Sequence, residues 1–231
     1  MHRFVLFLPI AVLASCATLT SYNNLPITSE QQNALTPQEV LENLMSGNER
    51  YVAGNLSEAN VQARVRASAT GQYPQAVVLS CLDSRVPVEQ VFDQGIGDIF
   101  VGRVAGNVEN EDQLGSMEFA TKAAGVKLVM VLGHEACGAV KGACDNVKMG
   151  NLTSLLSKIQ PAISSVKGFP ASERTSKNPE FVQKVVEANV RQTVADVRRR
   201  SSVLAELERA GEIKIVGAIY SLQTGKVTLL N

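Results

Sequence analysis

Three side chains with different chemistry stand close together in the segment SCLDSRVP. Cys81 offers a thiol, Asp83 a carboxylate and Arg85 a guanidinium. They follow AVVL, a continuous apolar run that is typical of a strand covered on both faces. Because ligands of open α/β sheets bind at the carboxyl ends of strands, the segment is a candidate functional site.

A second apolar run, KLVMVLGH, leads into LGHEACGAV, which places His134 and Cys137 three residues apart. The junction between a strand and a helix can present both side chains to one point. Two thiolates and one imidazole suit Zn²⁺, and three protein ligands leave a fourth position open, as in catalytic zinc sites. We therefore predict one Zn²⁺ per chain, bound by Cys81, His134 and Cys137.

Cysteine usage leaves one alternative open. The chain has four cysteines, at positions 16, 81, 137 and 144. If the first carries lipid, three remain, and an odd number argues against a purely disulfide-bonded framework. A disulfide between Cys81 and Cys137 is still compatible with an oxidising compartment. Cys144, two helical turns beyond Cys137, is predicted to be a core residue.

The elements that must position these residues alternate along the chain. The segment TPQEVLENLMSGNERYVAGN predicts a helix from Pro37 to near Gly54, because Thr36 and Glu39 can form a capping box. Strands are predicted at 75–81, 98–105 and 127–134. A helix is predicted at 111–125, with Gly125 as its C-terminal stop. This order predicts a parallel sheet with crossover helices.

The C-terminal part continues the pattern. Apolar residues with helical spacing run from 178 to about 211, with a break at Ser201–Ser202, and IKIVGAIYSLQTGKVTLL predicts a strand, a turn and a final edge strand. The predicted fold class is α/β, with a central, mostly parallel sheet flanked by helices. A C-terminal edge strand and an N-terminal helical arm complete it.

The first residues predict export. MHRFVLFLPIAVLASC has a basic head and an apolar stretch shorter than the roughly 20 residues of a membrane span. LASC resembles the lipobox of bacterial lipoproteins, in which the cysteine is lipidated and becomes the new N-terminus. We expect a signal peptide at 1–15, lipidation of Cys16, a linker at 16–35 and a single catalytic domain at 36–231.

The expected location is the periplasm, with a lipid anchor as the only membrane contact. Ala17, rather than an aspartate, follows Cys16, which by resemblance favours the outer membrane of a Gram-negative bacterium. Cleavage removes one arginine from a chain with 22 basic and 22 acidic residues, which leaves a formal charge of −1. Such a balance excludes a nucleic-acid partner, because nucleic-acid-binding domains are strongly basic.

The two site motifs together carry a resemblance. CLDSR fits C-x-D-S-R and HEAC fits H-x-x-C, and with these paired signatures the chain resembles the β-class carbonic anhydrases. Similarity extends from the helix near residue 37 through EANVRQTV to VGAIYSLQTGKV. The resemblance implies a zinc enzyme that interconverts CO2 and bicarbonate on an α/β sheet and works as a homodimer or a multiple of dimers.

The resemblance also implies roles for the site residues. Cys81, His134 and Cys137 match the zinc ligands, and Asp83 and Arg85 match a catalytic Asp–Arg dyad. In this reading an ionised Asp83 accepts the proton of zinc-bound hydroxide and orients it toward CO2. Arg85 keeps the carboxylate charged and turned away from the metal, so that the zinc stays open to water.

Three further positions are implied to bind substrate. Gln72 matches a glutamine that donates a hydrogen bond to substrate, Gly138 matches a backbone donor, and Phe100 is the best candidate for a pocket wall. In such dimers the glutamine and the pocket residues often come from the neighbouring subunit. Glu135 departs from the family pattern, in which threonine or serine often follows the histidine, and either adds negative charge near the metal or faces solvent.

Two other functions fit the same residues. Relatives on this scaffold hydrolyse carbonyl sulfide or carbon disulfide, which are linear like CO2. A non-catalytic zinc-binding envelope protein is the alternative from a different class, but both members of the Asp–Arg dyad are present. The nearby ENED at 109–112 is either a proton relay or, more simply, a solvated helix start.

Overall fold

The computed structural model describes residues 25–58 and 60–230. The predicted signal peptide at 1–15 and the predicted lipidation site Cys16 lie outside the described residues. Among the helices of the described ranges, none has both the length and the apolar composition that crossing a membrane requires.

A five-stranded sheet with the order β2-β1-β3-β4-β5 forms the centre of the fold. The strands are β1 (Ala76–Ser80), β2 (Ile99–Arg103), β3 (Leu128–His134), β4 (Lys214–Tyr220) and β5 (Val227–Leu230). The first four pair in parallel, whereas β5 pairs antiparallel with β4. The predicted fold class, with its C-terminal edge strand, is confirmed.

Helices cover both faces of this sheet. They are α1 (Ser29–Ala34), α2 (Pro37–Val52), α3 (Val61–Ser68), α4 (Val88–Val91), α5 (Glu111–Glu118), α6 (Gly138–Cys144), α7 (Gly150–Ser157), α8 (Gln160–Ser165), α9 (Pro179–Arg200) and α10 (Ser202–Arg209). The capping box of Thr36 and Glu39 at α2 is present as predicted. The predicted break after α9 is also present, and the Ser201 side chain caps α10.

Alternating side chains of the strands build two cores. Val77 and Leu79 of β1 pack into the cluster that includes α9, while Ala76 and Val78 pack into the cluster that includes α2. This alternation follows from the two-residue period of a strand. Because each fully buried valine or leucine contributes about 1.5–3 kcal/mol, burial on both faces strongly favours one register.

The predicted linker contains a short helix. Residues 29–34 of the predicted linker form helix α1, which Thr28 caps. Gln32 on this helix is buried, and its side-chain amide donates to the carbonyl oxygens of Pro74 (2.7 Å) and Ala124 (2.8 Å). These two bonds tie α1 to the segments that precede β1 and β3, so this part of the predicted linker packs against the domain.

The helix predicted at 111–125 is shorter and less regular than expected. α5 ends at Glu118, and a π-helical turn at Phe119–Ala123 follows it. The predicted stop is correct, because Gly125 has a φ of 77°, which glycine adopts without strain. The wide turn leaves the Phe119 ring 60% exposed beside strand β2.

Candidate metal centre

Three buried donor atoms converge where β1 and β3 end. Cys81 follows β1, His134 is the last residue of β3, and Cys137 directly precedes α6. Their ligand atoms all lie within 4.8 Å of one another. Parallel pairing of β1 with β3 brings both carboxyl ends to the same edge of the sheet. The sequence prediction that these three residues meet is therefore confirmed.

The imidazole of His134 is held in the tautomer that a metal ligand needs. Its Nδ1 lies 2.9 Å from the Glu135 carbonyl oxygen, to which an Nδ1–H group donates. Its Nε2 is fully buried and has no hydrogen-bond partner among the described residues. A buried nitrogen lone pair is costly unless something binds it, so this atom and the two sulfur atoms fit Zn²⁺.

The two thiols are free and share one hydrogen bond. Cys81 Sγ lies 3.9 Å from Cys137 Sγ, and neither forms a disulfide in the described part of the chain. The hydrogen bond from Cys137 lowers the pKa of Cys81, with further support from His134 and the Gly106 amide. The pKa of Cys137 is raised, because that thiol keeps the shared proton.

Asp83 and Arg85 form a two-pronged ion pair beside these donors. Arg85 Nε lies 2.9 Å from Asp83 Oδ1, and Arg85 Nη2 lies 2.7 Å from Oδ2. The Arg85 side chain holds the pKa of Asp83 well below its usual range. Asp83 Oδ2 lies 3.7 Å from His134 Nε2, so a carboxylate that stays charged stands next to the metal-binding atoms.

Arg103, at the end of β2, fixes the backbone that carries these residues. Its Nε donates to the Cys81 carbonyl oxygen (3.0 Å), and its Nη2 donates to the Asp83 carbonyl oxygen. Sequence reasoning missed this contact. The available signal was an arginine at the carboxyl end of the neighbouring strand, which the register places opposite Ser80.

A tight turn at Ala105–Asn107 supports the Cys81 sulfur from behind. The Gly106 amide donates to Cys81 Sγ (3.3 Å), and the Asn189 side chain on α9 donates to the Gly106 carbonyl oxygen (2.8 Å). Gly106 and Asn107 both have positive φ, at 71° and 44°. Sequence reasoning missed this support too, although Asn189 stands out as a polar residue on an apolar helix face.

The predicted substrate-binding residues divide into two groups. Gly138 follows Cys137 directly, and a Cβ at this position would meet no other atom within 4 Å beyond its chain neighbours and the backbone of its own helix. Gln72 is exposed and lies before β1, at the end opposite Cys81. Phe100 lies on β2 opposite Val77, and Val77 is three residues before Ser80, the last residue of β1. The chain does not bring Gln72 or Phe100 to its own metal centre.

Two acidic residues differ from their expected surroundings. Glu135 Oε2 accepts from the Ser221 hydroxyl (3.0 Å) and the Leu222 amide (2.9 Å), so its carboxylate stabilises the turn after β4 instead of facing solvent freely. Glu109 is buried and paired with Arg200, so this part of ENED is not a solvated helix start.

Cys144 is half-buried and packs against the core, which is close to the prediction that it is a core residue.

Comparisons with known proteins agree with this geometry. A family model described as carbonic anhydrase matches residues 76–227. Carbonic anhydrase 2 of Mycobacterium tuberculosis is 38% identical over 192 residues, which cover 80% of this chain and 89% of that protein. The range matched by the family model therefore includes Cys81, His134 and Cys137.

Solved structures show the same fold. The β-carbonic anhydrase CafA of Aspergillus fumigatus has a TM-score of 0.63 at 26% identity, over 72% of this chain and 80% of that one. A structure described as one of two tetrameric β-carbonic anhydrases from Sordaria macrospora has a TM-score of 0.61 at 19% identity, over 84% and 98% of the two chains.

Replacing Cys137 with serine tests the metal centre. We expect Cys137→Ser to lose nearly all bound zinc, because a serine hydroxyl stays protonated and is a poor zinc ligand. Cys144→Ser is the matched control and should keep one zinc ion per chain. Metal content by atomic emission after gel filtration measures both, and a Cys137→Ser protein with full zinc would exclude this site.

Proposed function

Since the chain belongs to the β-class carbonic anhydrase family, a family of zinc enzymes, we propose that it catalyses the reversible hydration of CO2 with Asp83 and Arg85 as its catalytic dyad. The observation that carries the proposal is the charged Asp83 carboxylate, fixed by Arg85 at 3.7 Å from His134 Nε2. Cys81, His134 and Cys137 are the proposed zinc ligands.

Zn²⁺ held by Cys81, His134 and Cys137 would lower the pKa of a bound water to about 7. Asp83 would accept a hydrogen bond from such a water. As an ionised carboxylate it can only accept, so it fixes the direction in which an attacking oxygen lone pair points. Its Oδ2 stands beside the metal-binding nitrogen, where such an acceptor is needed.

Arg85 determines what Asp83 can do. A carboxylate is itself a zinc ligand and could occupy the fourth position. The guanidinium binds both carboxylate oxygens, and the Arg85 amide donates to Oδ1 as well (3.0 Å). Coordination by Asp83 would break these charge-assisted bonds, so the pair favours a site that stays open to water.

Binding of CO2 needs a small apolar pocket and one or two donors. The Gly138 amide, in the first residue of α6 after Cys137, is the proposed donor from the same chain, and a Cβ at Gly138 would point into open space. Gln72 and Phe100 are the proposed donor and pocket wall from a second copy. This assignment agrees with their positions, because both lie away from the metal centre of their own chain.

The edge strand β2 is the proposed surface for that second copy. Within the described sheet β2 has only β1 as a neighbour, so its outer edge keeps free backbone hydrogen-bonding groups. A groove of about 740 Å³ runs along it, lined by Phe100, Met117 and the exposed Phe119. We propose a homodimer, or a multiple of it, that covers this groove.

For location, we propose export to the periplasm and a lipid anchor in the outer membrane through Cys16. The support is the sequence at 1–17, with its basic head, short apolar stretch, LASC motif and following alanine. The segment between Cys16 and helix α1 would connect the anchor to the domain.

Asp83→Asn tests the dyad. The amide keeps the shape of the side chain but loses its charge, so we expect full zinc content and CO2 hydration reduced by about 100-fold or more. Asp196→Asn changes a matched Asp–Arg pair on α9 and should leave hydration unchanged. Stopped-flow CO2 hydration measures both, and an unaffected Asp83→Asn enzyme would remove the orienting role of Asp83.

The same assay separates the rival activity. Wild-type protein with full zinc that hydrates no CO2 but hydrolyses carbonyl sulfide would overturn the proposed reaction while leaving the metal centre intact. Loss of both activities at full zinc content would instead favour a non-catalytic zinc-binding role.

Phe119→Glu tests the second copy. A charge in the groove should dissociate the dimer, and hydration should fall although zinc is retained, because Gln72 and Phe100 of the partner leave the site. Met149→Glu, at a residue 64% exposed compared with 60% for Phe119, is the control. Sedimentation velocity reports the assembly; a Phe119→Glu protein that stays dimeric, or a fully active monomer, would contradict the arrangement.

Cys16→Ser tests the anchor. Expressed from its own leader in a Gram-negative host, the wild-type protein should incorporate labelled palmitate and fractionate with the outer membrane. Cys16→Ser should do neither, while Cys144→Ser should behave as the wild type. Label that persists in Cys16→Ser, or wild-type protein in the cytoplasm, would refute the location.

A further inference from the structure

Helix α9 carries one amide side chain in the middle of its buried, mostly apolar face. Asn189 is 1% exposed and lies among Val186, Val190 and Thr193. A buried amide is costly unless it forms hydrogen bonds. Its partner therefore shows what this residue contributes that a leucine at the same position would not.

That partner leads directly to the metal centre. Asn189 Nδ2 donates to the Gly106 carbonyl oxygen at 2.8 Å, and this bond is buried. The Gly106 amide in turn donates to Cys81 Sγ at 3.3 Å. The two bonds hold the peptide groups on either side of the Gly106 Cα, so they fix its backbone conformation from both sides.

Gly106 cannot hold this conformation alone. A Cβ at this position would lie 2.9 Å from Ile159 Cδ1, and φ is 71°, so only glycine fits without strain. Glycine, however, adopts positive and negative φ about equally. The next residue, Asn107, also has a positive φ, of 44°, and such conformations persist only when the surroundings enforce them.

We propose that Asn189 is a positioning residue for the Cys81 sulfur. Through Gly106 it keeps an N–H group pointed at Sγ, which orients the sulfur and withdraws negative charge from the thiolate. Hydrogen bonds to metal-bound sulfur atoms tune the metal in this way. This inference rests on the zinc site proposed above but not on the role of Asp83 or on the substrate.

The alternative is that Asn189 only joins α9 to the sheet. Asn48 on α2 offers a matched comparison, because it is 2% exposed and its Nδ2 donates to the carbonyl oxygens of Val91 (3.0 Å) and Gly225 (2.9 Å). Asn48 thus makes the same kind of buried bond in the core on the other face of the sheet. Its loss should affect stability alone.

The experiment compares Asn189→Leu with Asn48→Leu in the full protein. Each variant is measured for urea stability, for zinc affinity by competition with a chelator, and for the thiolate-to-Co²⁺ charge-transfer band after substitution with Co²⁺. We expect both variants to lose stability. Only Asn189→Leu should bind zinc about 10- to 100-fold more weakly and shift the charge-transfer band to lower energy.

Two results would overturn the inference. An Asn189→Leu protein whose zinc affinity and Co²⁺ band match the wild type has only a structural asparagine. Equal changes of zinc affinity and of the Co²⁺ band in Asn48→Leu would show that lost stability alone causes them. If either leucine variant does not fold, Asn189→Ala and Asn48→Ala, which cannot clash, are compared in the same way.

Failure of the proposed zinc site gives a different result. In that case the wild-type protein itself shows no thiolate-to-Co²⁺ band, and Cys81→Ser changes nothing. A wild-type band that Cys81→Ser alters, together with an unaltered band in Asn189→Leu, would reject the role of Asn189 and leave the site standing.

Discussion

The parallel pairing of β1 with β3 places Ser80 opposite Leu132, and the metal centre depends on this register. Because both strands end at the same edge, the thiol after β1 converges with the imidazole that ends β3. A slip of one residue would turn every side chain of a strand to the other face and separate the donors. The two apolar cores oppose such a slip, so the burial that stabilises the fold also fixes the site.

Charge balance is the second constraint. The thiolates of Cys81 and Cys137 would neutralise a bound Zn²⁺, while the nearby carboxylate of Asp83 adds a negative charge that the metal would attract. Arg85 compensates this charge from the solvent side, since its side chain is 57% exposed. In the proposed mechanism the ion pair keeps a charged acceptor close to the metal-binding atoms and would make its movement onto a bound metal costly. An exposed ion pair contributes little to stability, so its value lies in this local control.

The parts of the fold and of the metal centre that can be predicted are those that the local sequence determines. Cys81 directly follows one strand and His134 ends another, and the length and composition of both strands are visible in the sequence, so the meeting of the two residues follows from the sheet. The surroundings of Glu135 and Glu109 could not be predicted, because they depend on distant elements that fold against them. The turn after β4 takes up Glu135, and Arg200, at the end of α9, pairs with Glu109. Helix α1 was missed for the same reason, since its burial depends on Gln32 meeting two loop carbonyls.

Metal binding and substrate binding are then subject to different constraints. The three zinc-binding side chains come from one chain, and its own core buries them, so folding alone assembles the metal centre. Gln72 precedes β1 and Phe100 lies on the edge strand β2, so in the proposed arrangement a second copy brings them to a metal centre. Changes at this edge can therefore alter access of substrate while Cys81 and its support from Gly106 stay as they are.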